Sequence, residues 1–129
     1  MTARPLRKVL LVDDDPAVRR IAETSLRVVG RLQVVAIASG LDLLETARVE
    51  QPDAIILDVM MPEMDGPACL FALRGEPTLA PIPVLFMTAR AHASEVERYL
   101  ALGVRGVITK PFDPMTLPET LRRMLGEAA

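Results

Sequence analysis

The sequence contains no tryptophan, one tyrosine and three phenylalanines, so aromatic residues make up only 3% of the 129 positions. It has one cysteine, Cys69, which cannot pair within the chain. No disulfide framework is available, and a reducing compartment fits. Basic residues give no excess: 15 Lys and Arg stand against 17 Asp and Glu, for a net charge of -2. That balance argues against direct nucleic-acid binding through phosphate neutralisation. No apolar stretch approaches the ~20 residues of a membrane span. Arg4, Arg7 and Lys8 precede an apolar run, but Val9–Val12 is stopped by Asp13, Asp14 and Asp15, so no signal peptide is read. The chain reads as a soluble cytoplasmic protein. Lysine is scarce too: only Lys8 and Lys110, against thirteen arginines.

What is present suffices for a core. Half of the residues are hydrophobic, too many for a disordered chain. The length fits one domain, since domains hold roughly 100–150 residues. Five short apolar runs recur: Val9–Val12, Gln33–Ile37, Ala54–Leu57, Pro83–Met87 and Val107–Ile108. They are continuous rather than alternating, as in strands buried on both faces of a parallel sheet.

Segments of helical period separate them. Val18, Ile21, Ala22, Ser25, Leu26 and Val29 form an apolar stripe, opposite Arg19, Arg20, Glu23 and Arg27. Asp15 as N-cap before Pro16 marks its start and Gly30 its stop. A second helix is expected from Ser39 to about Glu50, with Leu41, Leu44 and Ala47 inward. A third follows Asp65, with Pro67 in its first turn, and ends near Gly75. Ser94-Glu95-Val96-Glu97 reads as a capping box opening a fourth helix, closed by Gly103. Thr116-Leu117-Pro118-Glu119 has the same form and opens a fifth, with Leu117, Leu121, Met124 and Leu125 inward. Strand and helix therefore alternate five times, which predicts an α/β fold with a parallel sheet covered by helices on both faces.

Ligands of such folds bind beyond the carboxyl ends of the strands. Asp13, Asp14 and Asp15 follow the first strand there, Asp58 the third, Thr88 and Ala89 the fourth, and Lys110 with Pro111 the fifth. Two like charges ~4 Å apart repel by about 4 kcal/mol at an effective dielectric of 20. Asp13, Asp14 and Asp58 brought together therefore need a proton or a cation. Lys110 supplies one positive charge. Oxygen ligands without His or Cys favour Mg²⁺ over zinc. Carboxylates, a hydroxyl, a lysine and small-residue N–H groups suit phosphoryl transfer. An ionised carboxylate can itself be the nucleophile, and Asp58, alone at the end of the central run, is the best placed. Singly, each residue has a plain explanation: Asp15 a helix cap, Asp13 and Asp14 a solvated turn, Asp58 the start of a turn, Thr88 a strand-end hydroxyl. Their gathering at one edge is the informative observation.

Four segments, Lys8-Val-Leu-Leu-Val-Asp-Asp-Asp-Pro16, Ile56-Leu-Asp-Val-Met-Met-Pro-Glu-Met-Asp-Gly66, Met87-Thr-Ala-Arg-Ala91 and Thr109-Lys-Pro-Phe112, resemble the receiver domain of response regulators in two-component signalling. The likeness runs from about Arg7 to Leu125. It implies a (βα)5 doubly wound, CheY-like (flavodoxin-like) fold with strand order 2-1-3-4-5, and a single receiver domain over residues 1–129. It implies Asp58 as phosphoacceptor, Asp14 as a direct Mg²⁺ ligand, Asp13 as its neighbour acting through water, and Met60 as a carbonyl ligand. Thr88, Ala89 and Lys110 would hold the phosphoryl group, and the Lys110–Pro111 bond would be cis. The implied partners are a histidine kinase or histidine phosphotransfer protein, docking on the first helix and the loop after Lys110, and a downstream target or output domain. A homodimer through the fourth helix, fifth strand and fifth helix is also allowed. There is one departure: Val107 stands where relatives carry an aromatic switch residue. Met60 and Arg90 occupy positions that tune acyl-phosphate hydrolysis in relatives.

Competing readings fit less well. A phosphohydrolase with an Asp nucleophile usually needs a second Asp two residues on, where Met60 stands. No G-x-G-x-x-G follows the first strand, against a dinucleotide site. A degenerate receiver acting as a phosphorylation-independent binding module would not need the full acidic set. Cys69 reads as a small core residue, His92 as exposed before the fourth helix, and Tyr99 as packing or partner surface. The N-terminal Met, a few residues before the first strand, reads as a natural start.

Overall fold

A computed structural model describes residues 5–126; Arg4 and the ends of the expected domain fall outside the described residues. Five strands, β1 (Lys8–Val12), β2 (Gln33–Ile37), β3 (Ala54–Asp58), β4 (Val84–Thr88) and β5 (Val107–Thr109), alternate with α1 (Pro16–Thr24), α2 (Leu43–Glu50), α3 (Gly66–Arg74), α4 (Ala93–Ala101) and α5 (Leu117–Met124). The strands form one sheet in the order β2-β1-β3-β4-β5, with every pairing parallel. This is the expected doubly wound architecture. Among the described residues, no helix is long and apolar enough to cross a membrane.

Alternation along each strand divides the core in two. Leu10, Val12, Ile55, Leu57, Val84 and Phe86 point to one face, against Leu43 and Ala47 of α2, Leu70 and Leu73 of α3 and Tyr99 of α4. Val9, Leu11, Ala54, Ile56, Leu85 and Met87 point to the other, against Ala22 of α1, Leu26, and Leu117 and Leu121 of α5. Both faces are buried, which is why the strands read as unbroken apolar runs. Cys69 is fully buried, and burial, then Asp65, push its thiol up to about 11, so it stays protonated. A Cβ at Gly40 would lie 2.6 Å from its sulfur. Only glycine lets the chain entering α2 pass so close.

Helix ends agree with expectation where a side chain closes the first turn. Asp15 Oδ1 accepts from the N–H groups of Ala17 and Val18, and Asp65 Oδ1 from Ala68. Elsewhere the structure corrects the reading. The N-cap of α4 is exposed His92, two residues before Ser94, with no side-chain cap, so the Ser94–Glu97 box does not form. Thr116 is the N-cap of α5 but does not cap it with its hydroxyl, which turns back to the Asp113 carbonyl at 3.4 Å. Pro118 does sit in that first turn. Ser39 caps a short 3₁₀ turn, Gly40–Asp42, instead of α2 itself. Leu41 consequently lies 64% exposed and Leu43 takes the inward place.

The first helix changes pitch. After Thr24 the chain makes a π turn, Ser25–Val29, closed by the Gly30 N–H on the Ser25 carbonyl at 3.1 Å. The inward stripe narrows to Val18, Ala22, Ser25 and Leu26, leaving Ile21 and Val29 exposed. The buried Ser25 hydroxyl donates to the Pro114 carbonyl, fastening this turn to the loop before α5.

Phe86 is fully buried and meets Tyr99 edge to face, with centroids 5.3 Å apart. Phe86→Ala is expected to lower unfolding free energy by about 3–5 kcal/mol in urea denaturation. A loss under 1 kcal/mol would contradict its place in the core.

Candidate functional site

The parallel register brings the carboxyl ends of β1, β3, β4 and β5 to one edge. Asp13 directly follows β1, Asp58 ends β3, Thr88 ends β4 opposite Thr109, and Lys110 follows β5. Asp13, Asp58 and Thr88 are the buried polar groups of this edge, while Asp14 is exposed at its mouth. Asp13, Asp14 and Asp58 each offer a carboxylate oxygen within 4.8 Å of the others. The Lys110 ammonium reaches between two of them, 3.0 Å from Asp13 Oδ2 and 3.2 Å from Asp58 Oδ1.

The backbone orients these side chains. Asp58 Oδ1 accepts from the Met60 N–H at 3.3 Å, and Asp13 Oδ1 from the Asp15 N–H at 2.9 Å. Thr88 Oγ1 accepts from the Arg90 N–H at 3.0 Å. Met60, Ala89 and Arg90 are exposed around the rim. The Lys110–Pro111 bond is cis, as expected. Val107 is half-buried and packs with the cluster holding Phe86 and Tyr99.

The electrostatics are unbalanced. Burial, then the charge of Asp13, raise Asp58 from the ordinary 3.8 to about 6, although Lys110 and the Met60 N–H pull the other way. Burial tends to lower the Lys110 ammonium, but the hydrogen bond and charge of Asp13, then those of Asp58, outweigh it and leave its pKa raised. One ammonium thus serves two buried carboxylates. Asp13 Oδ2 lies at ion-pair distance from Lys110 yet has no aligned hydrogen bond. Buried carboxylate oxygens of three aspartates sharing one ammonium fit a hard divalent cation bound through oxygen.

Two contributors have no role at the site assigned from sequence. Gly66 donates its N–H to the Val59 carbonyl at 3.0 Å, and a Cβ there would lie 3.2 Å from the Asp58 carbonyl. Its bareness lets the loop after β3 fold back onto the strand end. Arg19, expected on the outward face of α1, is half-buried and donates to the Asp13 carbonyl at 2.8 Å.

The sequence pattern of the family described as response regulator receiver domain matches residues 9–122. The chain belongs to this family. It is a family of phosphorelay signalling domains. The chain is 37% identical over 119 residues to a probable transcriptional regulator, ycf27, of Cyanophora paradoxa, covering 92% of this chain and 48% of that protein. It is likewise 37% identical over 117 residues to the transcriptional regulatory protein CseB of Streptomyces coelicolor, covering 91% of this chain and 48% of that protein. The receiver chain therefore spans about half the length of the curated relatives it matches. Among solved structures, the chemotaxis response regulator CheY4 of Vibrio cholerae superposes with a TM-score of 0.84 at 33% identity, covering 93% of this chain and 99% of that one.

The raised Asp58 has a consequence for stability. The folded receiver holds a proton on Asp58 that the unfolded chain releases, so stability contributed by this group falls as pH rises from about 4 through about 6. Without divalent cation, Asp58→Asn is expected to be more stable than wild type by about 1–2 kcal/mol near pH 7.5, a gain that shrinks towards pH 4. Chemical denaturation at the two pH values checks this, and a variant less stable at the higher pH would contradict it.

Proposed function

We propose that this receiver is a phosphorylation switch that accepts a phosphoryl group on Asp58, with Mg²⁺, from a histidine kinase or histidine phosphotransfer protein. The observation that carries this reading is the meeting of Asp58, Asp13 and Asp14 within 4.8 Å, with the Lys110 ammonium beside Asp58. Above about pH 6 the Asp58 carboxylate is largely ionised and needs no general base. Its oxygen forms the bond to phosphorus while the bond from phosphorus to the donor imidazole nitrogen breaks. The electron pair of that bond leaves with the imidazole.

Asp13, Asp14, Asp58 and the Met60 carbonyl would hold Mg²⁺, Asp13 through water. The ion would supply positive charge against the phosphoryl oxygens. The Thr88 hydroxyl and the Ala89 N–H take phosphoryl oxygens on one side. Lys110, a compact charge on a flexible stem, follows the group from the other. With Val107 in place of an aromatic, the change of surface rests on Thr88 and the loop after it.

The donor docks across α1 and the loop after Lys110. Arg19 and Arg27 are not free for it: Arg19 bonds the Asp13 carbonyl, and Arg27 pairs with Glu23 at 2.8 Å and bonds the Val34 carbonyl at 2.6 Å. An apolar groove of about 320 Å³ lies there instead, lined by Ile21, Val28, Val29, Pro114 and Met115, with Arg20 at its side. We assign it to an apolar face of the donor. Output passes to a downstream protein or an attached output domain, as the transcriptional regulators among its relatives suggest, and the pathway is cytoplasmic.

Fluoroberyllate, a phosphoryl mimic, is expected to bind only with Mg²⁺ and not to Asp58→Asn, as followed by ¹⁹F NMR. Undiminished binding to that variant would overturn the assignment and favour a phosphorylation-independent binding module. Met115→Glu is expected to slow transfer from a phosphorylated histidine protein about tenfold or more, while labelling by a small acyl phosphate is unchanged. Equal slowing of both reactions would remove the groove from the docking account.

A further inference from the structure

The polar atoms of Asp13 are almost completely accounted for. Its N–H donates to the Ile37 carbonyl at 3.1 Å, tying the end of β1 to β2. Its Oδ1 accepts from the Asp15 N–H at 2.9 Å, and its carbonyl accepts from Arg19 at 2.8 Å. Oδ2 has no partner but the Lys110 ammonium, 3.0 Å away and shared with Asp58. The Arg19 N–H makes the regular first-turn bond of α1 to the Asp15 carbonyl at 2.9 Å. The first-turn bond fixes where Arg19 stands on α1, and only the guanidinium contact with Asp13 depends on the side chain. That side chain comes from the face expected to be solvated.

We propose that Arg19 is a positioning residue: its guanidinium holds the Asp13 carbonyl so that Oδ2 of Asp13 faces the cation site. This rests on the reading of that site as a Mg²⁺ site. The bond is charge-assisted and half-buried, which makes it the strongest kind available to a backbone carbonyl. It acts on the loop through geometry, because an arginine never accepts a hydrogen bond and cannot ligate the ion.

The sign of the effect separates this role from plain charge. A guanidinium beside an acidic cluster repels a cation, so charge alone predicts that removing Arg19 tightens Mg²⁺ binding. Positioning predicts the opposite, because hydrogen bonds that orient ligands support affinity by about tenfold or more. A purely structural role predicts lower thermal stability with Mg²⁺ affinity unchanged.

The test is a Mg²⁺ titration of the full chain, followed by amide shifts in ¹⁵N NMR, for wild type, Arg19→Ala and Arg19→Lys. Arg19→Ala is expected to weaken Mg²⁺ about tenfold, and Arg19→Lys, which keeps a donor and a charge, to recover most of that. Unchanged or tighter binding by Arg19→Ala, with wild type binding Mg²⁺, overturns the proposal and leaves the functional reading standing. A wild-type chain that does not bind Mg²⁺ overturns both. Should Arg19→Ala fail to fold, Arg19→Met, which keeps an apolar stem but has no N–H donor, decides: Mg²⁺ binding weakened about tenfold supports positioning, and unchanged or tighter binding overturns it.

Discussion

Two carboxylates sunk in the end of a parallel sheet share a single ammonium, and the rest of the receiver is organised around that shortage. Asp13 and Asp58 would each be costly alone at this depth. Lys110 reaches both but cannot neutralise both. The deficit shows in the raised pKa of Asp58, to which burial and then the Asp13 charge contribute, and in the one ammonium that Asp13 Oδ2 must share. A switch gains from this arrangement. Under the proposed function, a site that lacks positive charge and holds oriented oxygens is prepared for a cation, and the cation would prepare it for a phosphoryl group.

The fold holds this strained edge because its core is indifferent to it. Two separate apolar layers, one under α2, α3 and α4 and one under α1 and α5, clamp the strands up to the last apolar residue. In β1, β3, β4 and β5 a polar residue, Asp13, Asp58, Thr88 or Thr109, stands one position later. Stability is supplied along the strands, and chemistry is confined to their ends, as in other sheets of this class.

Much of this was legible in the sequence because it is periodic or local. Short unbroken β-branched and leucine runs between helical segments suit strands buried on both faces, and Asp15 before Pro16 caps a helix by chemistry that needs nothing distant. The misreadings share one cause, which is that a cap depends on how the chain arrives. Ser94 and Thr116 had suitable residues three positions on, yet the incoming loops set the first turn elsewhere or turned the hydroxyl away. Leu41 fell on the right period but outside the α-helix proper. The π turn adds a residue to a repeat and leaves no mark on composition. At the site, residue types were sufficient to nominate Asp13, Asp14, Asp58, Thr88 and Lys110, because several rare choices fall at one edge. Arg19 and Gly66 act through backbone groups, on which side-chain patterns are silent.

The two-sided core also changes what keeps the strands in register. In a sheet with one wet face, a slip of one residue would turn apolar side chains to water and be rejected. Here both faces are apolar, so such a slip in β3 would merely exchange Ile55 and Leu57 with Ala54 and Ile56. The acidic ends forbid it. Sliding one way would pull Asp58 in among hydrocarbon, and sliding the other would push Leu57 out beside Lys110. These polar ends therefore also act as end stops for the sheet, and β3 cannot shift one step without either drawing a charge into hydrocarbon or putting Leu57 among charges.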